Sequence, residues 1–462
     1  MFHFTTTLAL TLHFAKHAPM TSVDTIFAVA TPPGRSAIAV IRISGPQAGI
    51  TPKLFAANCP AAGQSRLARL RVGDQVIDEA MILFMAAPKS STGEDVCEIH
   101  CHGSTAVIQL ILDILASAAG FRLADAGEFT RRAFLNGKMD LLAVEGLADV
   151  IDAETPNQLY QAWSQIDGAL RGPVSRWRAN LISVAAQLEA LIDFADEDLP
   201  DHVETRLRQH TSALIKEIAT ILDDDRAGEL VRDGVVVALV GPVNAGKSTI
   251  LNGLAGRAVA IVSDEAGTTR DIVSVRLDIN GVPTSILDTA GLRDKTGAVE
   301  AEGIRRSIEA AQHANIVVLV ADASSNHWQQ DVDYISDHMG RVDLLILNKI
   351  DHGVPATVPA DAMLISAKDD TDITKLMGRL GAMIIPHNQA HNNAIITRLR
   401  HRQSLRDAHD ALSAGLVHDF HQAPELAGED FRQAATALGR ITGDVDVEEL
   451  LGQIFSSFCI GK

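Results

Sequence analysis

At 462 residues and 47% hydrophobic composition, the chain is long enough for two to four domains with cores of normal size. A formal net charge of −18 argues against a protein that grips nucleic acid through a broad basic surface of its own. Four cysteines, Cys59, Cys97, Cys101 and Cys459, are too unevenly spread for a disulfide framework and fit a reducing, cytoplasmic setting, and no run reaches the roughly 18 apolar residues that cross a membrane.

The leader, residues 1–22, carries no acidic residue before Met20, and its one lysine, Lys16, lies behind the apolar part, the reverse of a secretory signal. It reads as a disordered, dispensable start, with Met20 as the functional one. From Asp24, β-rich segments cover residues 25–30 and 37–44, and a helix is expected to begin near Gly45-Pro46. Further strands are expected over residues 79–86 and 95–102, then helical periodicity over 108–119, making residues 23–137 an α+β domain. In Cys97-Glu-Ile-His-Cys-His102, strand alternation sends Cys97, Ile99 and Cys101 to one face and Glu98, His100 and His102 to the other. The spacing is wrong for a C-x-x-C metal knuckle, so the segment reads as core cysteines opposite a polar, ligand-facing row.

Residues 138–232 hold little strand signal and much amphipathic spacing, with long helices expected over 144–153, 177–194 and 203–222. The acidic cluster between Asp193 and Asp201 reads as a solvated connection. Asp223-Asp-Asp225 and Gly228 read as a linker.

The apolar run from Val235 to Val240 then breaks into Gly241-Pro-Val-Asn244-Ala245-Gly246-Lys247-Ser248-Thr249. The spacing G-x-x-x-x-G-K-S between strand and helix is that of a phosphate-binding loop: the glycines let backbone N–H groups face phosphate oxygens, Lys247 adds a positive charge, and Ser248 offers Mg²⁺ a hydroxyl. Thr269, in Gly267-Thr268-Thr269, is a second candidate Mg²⁺ ligand. Two strands joined by Asn280-Gly281, a hairpin turn signal, lead to Asp288-Thr289-Ala290-Gly291, where Asp288 holds the metal through water and the Gly291 N–H approaches the γ-phosphate. Asn348-Lys349-Ile-Asp351 closes the apolar run 344–347. A carboxylate there accepts both N1–H and the amine of guanine, a pair that adenine lacks, so GTP is selected over ATP. Ser366-Ala367-Lys368 fits the loop that meets the guanine carbonyl. Residues 233–385 therefore read as an inserted P-loop GTPase domain of Ras-like α/β type.

Leu292 stands where a Ras-like enzyme carries the glutamine that orients the attacking water. Asn244 offers a replacement: its carbonyl oxygen, with Thr268 and the backbone around Ser263 and Glu265, is a candidate shell for K⁺, a positive charge at the transition state. The simpler reading of Asn244 is an ordinary turn residue.

Residues 386–462 return to helical composition and are expected to complete one bundle around the insertion. Arg398, Arg400, Arg402 and Arg406 read as a solvated first helix turn, with tRNA contact as the sharper alternative. Cys459, four residues from Lys462, is a candidate nucleophile or acid on a tethered tail.

Taken together, these motifs make the chain resemble the MnmE (TrmE) family of tRNA modification GTPases from Asp24 to Lys462. The family's signatures have counterparts in Thr31-Pro-Pro-Gly-Arg35, Thr92-Gly-Glu-Asp95, His102-Gly103, Gly127-Glu-Phe-Thr130 through Lys138-Met-Asp140, and Cys459-Ile-Gly-Lys462. The resemblance implies a homodimer joined through N-terminal domains that bind formyl- or methylene-tetrahydrofolate, with Arg42, Glu98, Lys138 and Lys462 contributing. It implies an FAD-containing partner, MnmG (GidA), in a heterotetramer that adds an aminomethyl-type (carboxymethylaminomethyl) group to carbon 5 of the wobble uridine of certain tRNAs. It further implies K⁺-dependent dimerisation of the GTPase domains, with Glu300 positioning the catalytic water. Ser263 and Ser104 depart from the family's usual threonine and glycine. Two rival functions are a regulatory GTPase of ribosome assembly without modification chemistry, and a folate-dependent transferase with a vestigial GTPase.

Overall fold

The computed structural model describes residues 24–193, 201–224, 226–257, 273–288, 312–384, 395–420, 422–445 and, near the end, 451, 452, 454, 455, 458 and 461. The chain divides into two units, one of Met1–Ala148 with Thr442–Lys462 and one of Asp149–Ile441.

The first unit is built on a six-stranded sheet: β1 (Thr25–Val29), β2 (Ser36–Ser44), β3 (Gln64–Val72), β4 (Gln75–Met85), β5 (Val96–Gly103) and β6 (Phe121–Leu123), in the order β3-β4-β5-β2-β1-β6. Only the β1–β6 pair is parallel. Helix α1 (Thr105–Ser117) covers one face, burying Ile111 and Leu115 against Ile41, Ile43, Ile82 and Ile99. Cys97, Ile99 and Cys101 lie in that core while Glu98, His100 and His102 take the other face, as alternation requires. Where a helix was expected after Gly45-Pro46, the chain forms a 3-10 helix over Ala48–Phe55 with Pro52 inside, whose missing N–H disfavours an α-helix. Strand β3 had no counterpart in the sequence reading. It is an edge strand with Leu70 alone fully buried, and its arginines mask the alternation. Two short helices, α2 (Glu128–Leu135) and α3 (Leu141–Asp152), follow.

The second unit contains helices α4 (Pro156–Ile166), α5 (Arg171–Asp193), α6 (Asp201–Leu222) and α7 (Ala227–Asp233), the last lying where a plain linker was expected. A second six-stranded sheet comprises β7 (Val235–Val240), β8 (Val273–Ile279), β9 (Val282–Asp288), β10 (Ile316–Asp322), β11 (Leu344–Asn348) and β12 (Met363–Leu364), ordered β12-β11-β10-β7-β9-β8. All pairs are parallel except β8–β9, whose turn is Asn280-Gly281 with both residues at positive φ. Helices α8 (Lys247–Ala255) and α10 (Asp370–Ile384) bury Ile250, Leu254, Ile373 and Leu376 on one face; α9 (Trp328–Met339) covers the other with Val332 and Ile335. This is a doubly wound three-layer domain, whose ligands bind beyond the carboxyl ends of the parallel strands.

Helix α11 (Leu399–Val417) packs on α6, and Arg208 fixes the join by donating to the carbonyls of Leu416 (2.7 Å) and His418 (2.8 Å). The final helix, α12, runs over Pro424–Thr442. The α11 arginines are not a solvated turn. Arg402 is 3% exposed between Asp224 (2.5 Å) and Glu229 (2.7 Å), Arg398 pairs with Asp149 (2.7 Å), and Arg400 donates to the Arg440 carbonyl. Arg402 and Arg398 are thus ion-paired inside the helical body, Arg400 is half-buried on backbone carbonyls, and Arg406 is exposed.

The β8–β9 hairpin ends on α4. The Thr155 hydroxyl caps α4 by accepting from the Gln158 N–H (3.3 Å) and donates to the Gly281 carbonyl (2.9 Å). Among the described residues no helix is long and apolar enough to cross a membrane.

Candidate nucleotide-binding site

The site is assembled at the carboxyl ends of β7, β9, β10 and β11. After β7 the chain turns at Gly241, φ +147, where a Cβ would stand 2.0 Å from the Val320 carbonyl oxygen. Gly246, φ +97, caps α8, and a Cβ there would stand 2.2 Å from the Asn348 amide nitrogen. Both glycines are therefore demanded by backbone conformation and by close approach.

Lys247, the first residue of α8, is 3% exposed and donates to the carbonyls of Gly241 (2.7 Å) and Pro242 (2.8 Å). Burial pushes its ammonium down to about 8, against an opposing pull from Asp288. The Ser248 hydroxyl donates to the Asp288 carboxylate at 2.6 Å, and Asp288 is buried at the end of β9. A hydroxyl and a carboxylate at this separation form a hard-oxygen pair suited to Mg²⁺. Asn244 is exposed and left-handed, φ +64, and Thr249 is exposed on the first turn of α8.

On the base side, Asn348 is buried. Its amide donates to the Ala245 carbonyl (2.8 Å) and its side-chain oxygen accepts from the Ala367 N–H (2.9 Å). One residue thus staples the phosphate loop to the loop of Ser366, Ala367 and Lys368. Lys349 follows at φ +66, a turn that brings Asp351 to face Ser366 (3.1 Å) and Lys368 (3.1 Å). Lys368 chiefly, then the Ser366 hydroxyl, holds the Asp351 carboxyl below its usual range. Asp351, Ser366, Lys368, Asp369 and Asp370 line one open pocket.

Of the expected site residues, Asn244 through Thr249, Asp288, Asn348, Lys349, Asp351 and Ser366 through Lys368 thus come to one end of the sheet. Ser263, Glu265, Thr268, Thr269, Thr289, Ala290, Gly291, Glu300, Cys459 and Lys462 lie outside the described residues. Two residues were not singled out from sequence. Asp372, in the first turn of α10, accepts from the Ser366 N–H at 2.9 Å. Asp322 closes β10 and pairs with Lys349 at 2.7 Å. The signal for each was an acid placed at the boundary of an apolar element.

In the first unit, Arg42 donates to Glu98 (2.9 Å), whose other oxygen meets His100 (3.0 Å), on the face opposite the cysteine core. Burial raises the Glu98 carboxyl, and the neighbouring His100 and Arg42 outweigh it, leaving it below the ordinary carboxylate range. Arg42 also lies over the Phe129 ring at 5.9 Å. Behind it, Arg132 gathers Glu94 (3.0 Å), Glu128 (3.0 Å) and Asp24 (3.1 Å), so two separated sequence signatures meet with Asp24 in one ion-paired cluster. Lys138 donates instead to the Pro88 carbonyl (3.0 Å). Gly461, φ +103, lies against β1: a Cβ there would stand 2.2 Å from the Val29 carbonyl.

A glycine-bounded loop with buried lysine, a serine–aspartate pair at the strand ends and an Asn-Lys-x-Asp base loop define a P-loop protein of the guanine-nucleotide class. Comparison narrows the class. The model described as the GTP-binding protein TrmE N-terminus matches residues 25–138, and that of the MnmE helical domain matches 141–459. The tRNA modification GTPase MnmE of Parvibaculum lavamentivorans is 48% identical over 451 residues, covering 95% of this chain and 100% of that protein. Its counterpart in Maricaulis maris is 45% identical over 446 residues, covering 95% and 99%, and that of Rhodospirillum rubrum is 42% identical over 461 residues, covering 96% and 100%. The chain belongs to the MnmE family.

Proposed function

We propose that this chain hydrolyses GTP to drive modification of carbon 5 of the wobble uridine in certain tRNAs, in the cytoplasm. The observation that carries the hydrolase reading is the Asn348 staple, which fixes a guanine-reading loop to a phosphate loop whose Lys247 is buried and whose Ser248 already bonds Asp288. Family membership over nearly the whole chain makes tRNA modification the purpose of that hydrolysis.

Within this reading each group has a physical task. Lys247 and the α8 N-terminus bind the phosphates, Ser248 and Asp288 hold Mg²⁺ with Thr269, and Thr289, Ala290 and Gly291 approach the γ-phosphate. Mg²⁺ bound there neutralises charge developing on the phosphates. Asp351 reads the guanine N–H edge. Asn244, with Ser263, Glu265 and Thr268, holds K⁺, and Glu300 positions the attacking water.

The finer proposal puts tetrahydrofolate in the N-terminal domain, where buried Glu98, paired with Arg42, supplies a carboxylate for the N–H groups of a reduced pterin, and Lys138 and Lys462 contribute. Cys459 supplies the thiol. A homodimer working with an FAD-containing MnmG-type partner performs the joint reaction. The domain division that goes with it is 23–137 for folate and dimerisation, 138–232 with 386–462 for the helical body, and 233–385 for the GTPase.

Nucleoside analysis of tRNA from a strain lacking the chain tests this directly. Loss of the carbon-5 substituent, restored by the wild-type chain and not by Lys247→Ala, is expected. Unchanged wobble uridines would leave a GTPase of some other purpose, the ribosome-assembly regulator among them.

A further inference from the structure

Lys349 has an unusual constraint on it. Its backbone is left-handed, φ +66, a conformation that a residue with a Cβ disfavours, and its ammonium is held at 2.7 Å by Asp322. Asp322 is itself fixed. One carboxylate oxygen accepts from both the N–H (3.0 Å) and the hydroxyl (2.6 Å) of Ser324, so the other is left aimed at Lys349. The backbone repeats the link: Asp322 and Asn348 are register partners on β10 and β11, and the Ala323 N–H donates to the Asn348 carbonyl at 2.7 Å. A rigid acid at the end of one strand thus grips the lysine that leaves the end of the next.

Resting on the guanine-site reading above, we propose that Asp322 is a positioning residue for base recognition: it anchors the Lys349 ammonium at the sheet edge so that the lysine's methylene stem forms a fixed wall against one face of the base. Lys349 stands between Asn348, which staples the two loops, and Asp351, which reads the base edge, so its stem borders the ring plane. A lysine stem buries its methylenes against flat apolar surface while its head keeps a polar partner. Without that partner the head is free to swing into water, and ordering the stem falls on nucleotide binding.

Asp322→Asn isolates the effect, because the amide keeps the oxygen that accepts from Ser324 and turns toward Lys349 an uncharged NH2 that cannot accept from its ammonium. In the full chain, this variant is expected to weaken GDP and GTP binding about tenfold and to raise KM by the same factor with kcat unchanged, the loss of one charge-assisted contact. Asp322→Glu restores part of the affinity. Lys349→Met weakens binding too, and adding Asp322→Asn to it has no further effect, since Asp322 acts through the lysine. GDP affinity within about twofold of wild type in Asp322→Asn, or losses that add in the double variant, overturns the proposal. Wild-type discrimination between GDP and ADP in the same titrations tests the guanine reading separately: strong discrimination with unchanged Asp322→Asn affinity sinks the anchor alone.

Discussion

The Asn348 side chain donates to the Ala245 carbonyl at 2.8 Å across 103 residues of sequence, closing the phosphate loop onto the base loop. With the Ala367 contact it leaves no polar atom of the amide idle.

Asn348→Ala is therefore expected to cost about 1–3 kcal/mol of stability, because the Ala245 carbonyl and Ala367 N–H lose their partner in a buried place. Nucleotide affinity falls at least tenfold, as the two loops cease to be registered. Denaturant unfolding and fluorescent-GDP titration check the two halves. Wild-type stability with wild-type affinity would show that the staple is idle.

Asp351→Asn reverses the donor–acceptor pattern offered to the base. Affinity for GTP is expected to fall on the order of a hundredfold or more while that for XTP rises. Competition of both nucleotides against labelled GDP measures the exchange, and parallel losses for both would place base reading elsewhere.

Burial lowers Lys247 to about 8 in the nucleotide-free chain, and triphosphate oxygens beside it favour the charged form. Between about pH 8 and the ordinary lysine value, GTP binding must take up a proton, so affinity falls as pH rises through that window. Folding responds with the opposite sign. The unfolded chain binds more protons there, so nucleotide-free stability from this group rises with pH over the window. Calorimetry near pH 9 in buffers of different ionisation enthalpy reads the uptake, which Lys247→Met abolishes.

If Asn244 ligates K⁺, GTP hydrolysis runs roughly tenfold or more faster in K⁺ than in Na⁺, and Asn244→Ala removes the difference while GDP binding stays. Equal rates in the two salts dismiss the ligand role. The left-handed backbone of Asn244 would then be its whole contribution.

The catalytic loops were legible because their chemistry is local: Gly241 to Ser248, Asn280-Gly281 and Asn348 to Asp351 each carry their geometry in consecutive residues. What was hidden depends on partners distant in sequence. Arg402 reads as solvated until Asp224 and Glu229 arrive from about 170 positions earlier. Asp322 reads as the polar end of a strand until parallel pairing sets it beside Asn348. Strand β3 escaped because an edge strand needs little burial, so its sequence never had to alternate.

The β8–β9 hairpin gives the GTPase domain a strut. One end is Asp288, against Ser248. The other is Gly281, whose carbonyl takes the Thr155 hydroxyl and whose missing side chain admits Asn157; a Cβ there would stand 1.8 Å from the Asn157 amide. Seven residues of hydrogen-bonded β9 span roughly 23 Å and neither stretch nor shorten. The Ser248–Asp288 contact and the Thr155 cap of α4 thus sit at the two ends of a single paired hairpin, with no loop between them.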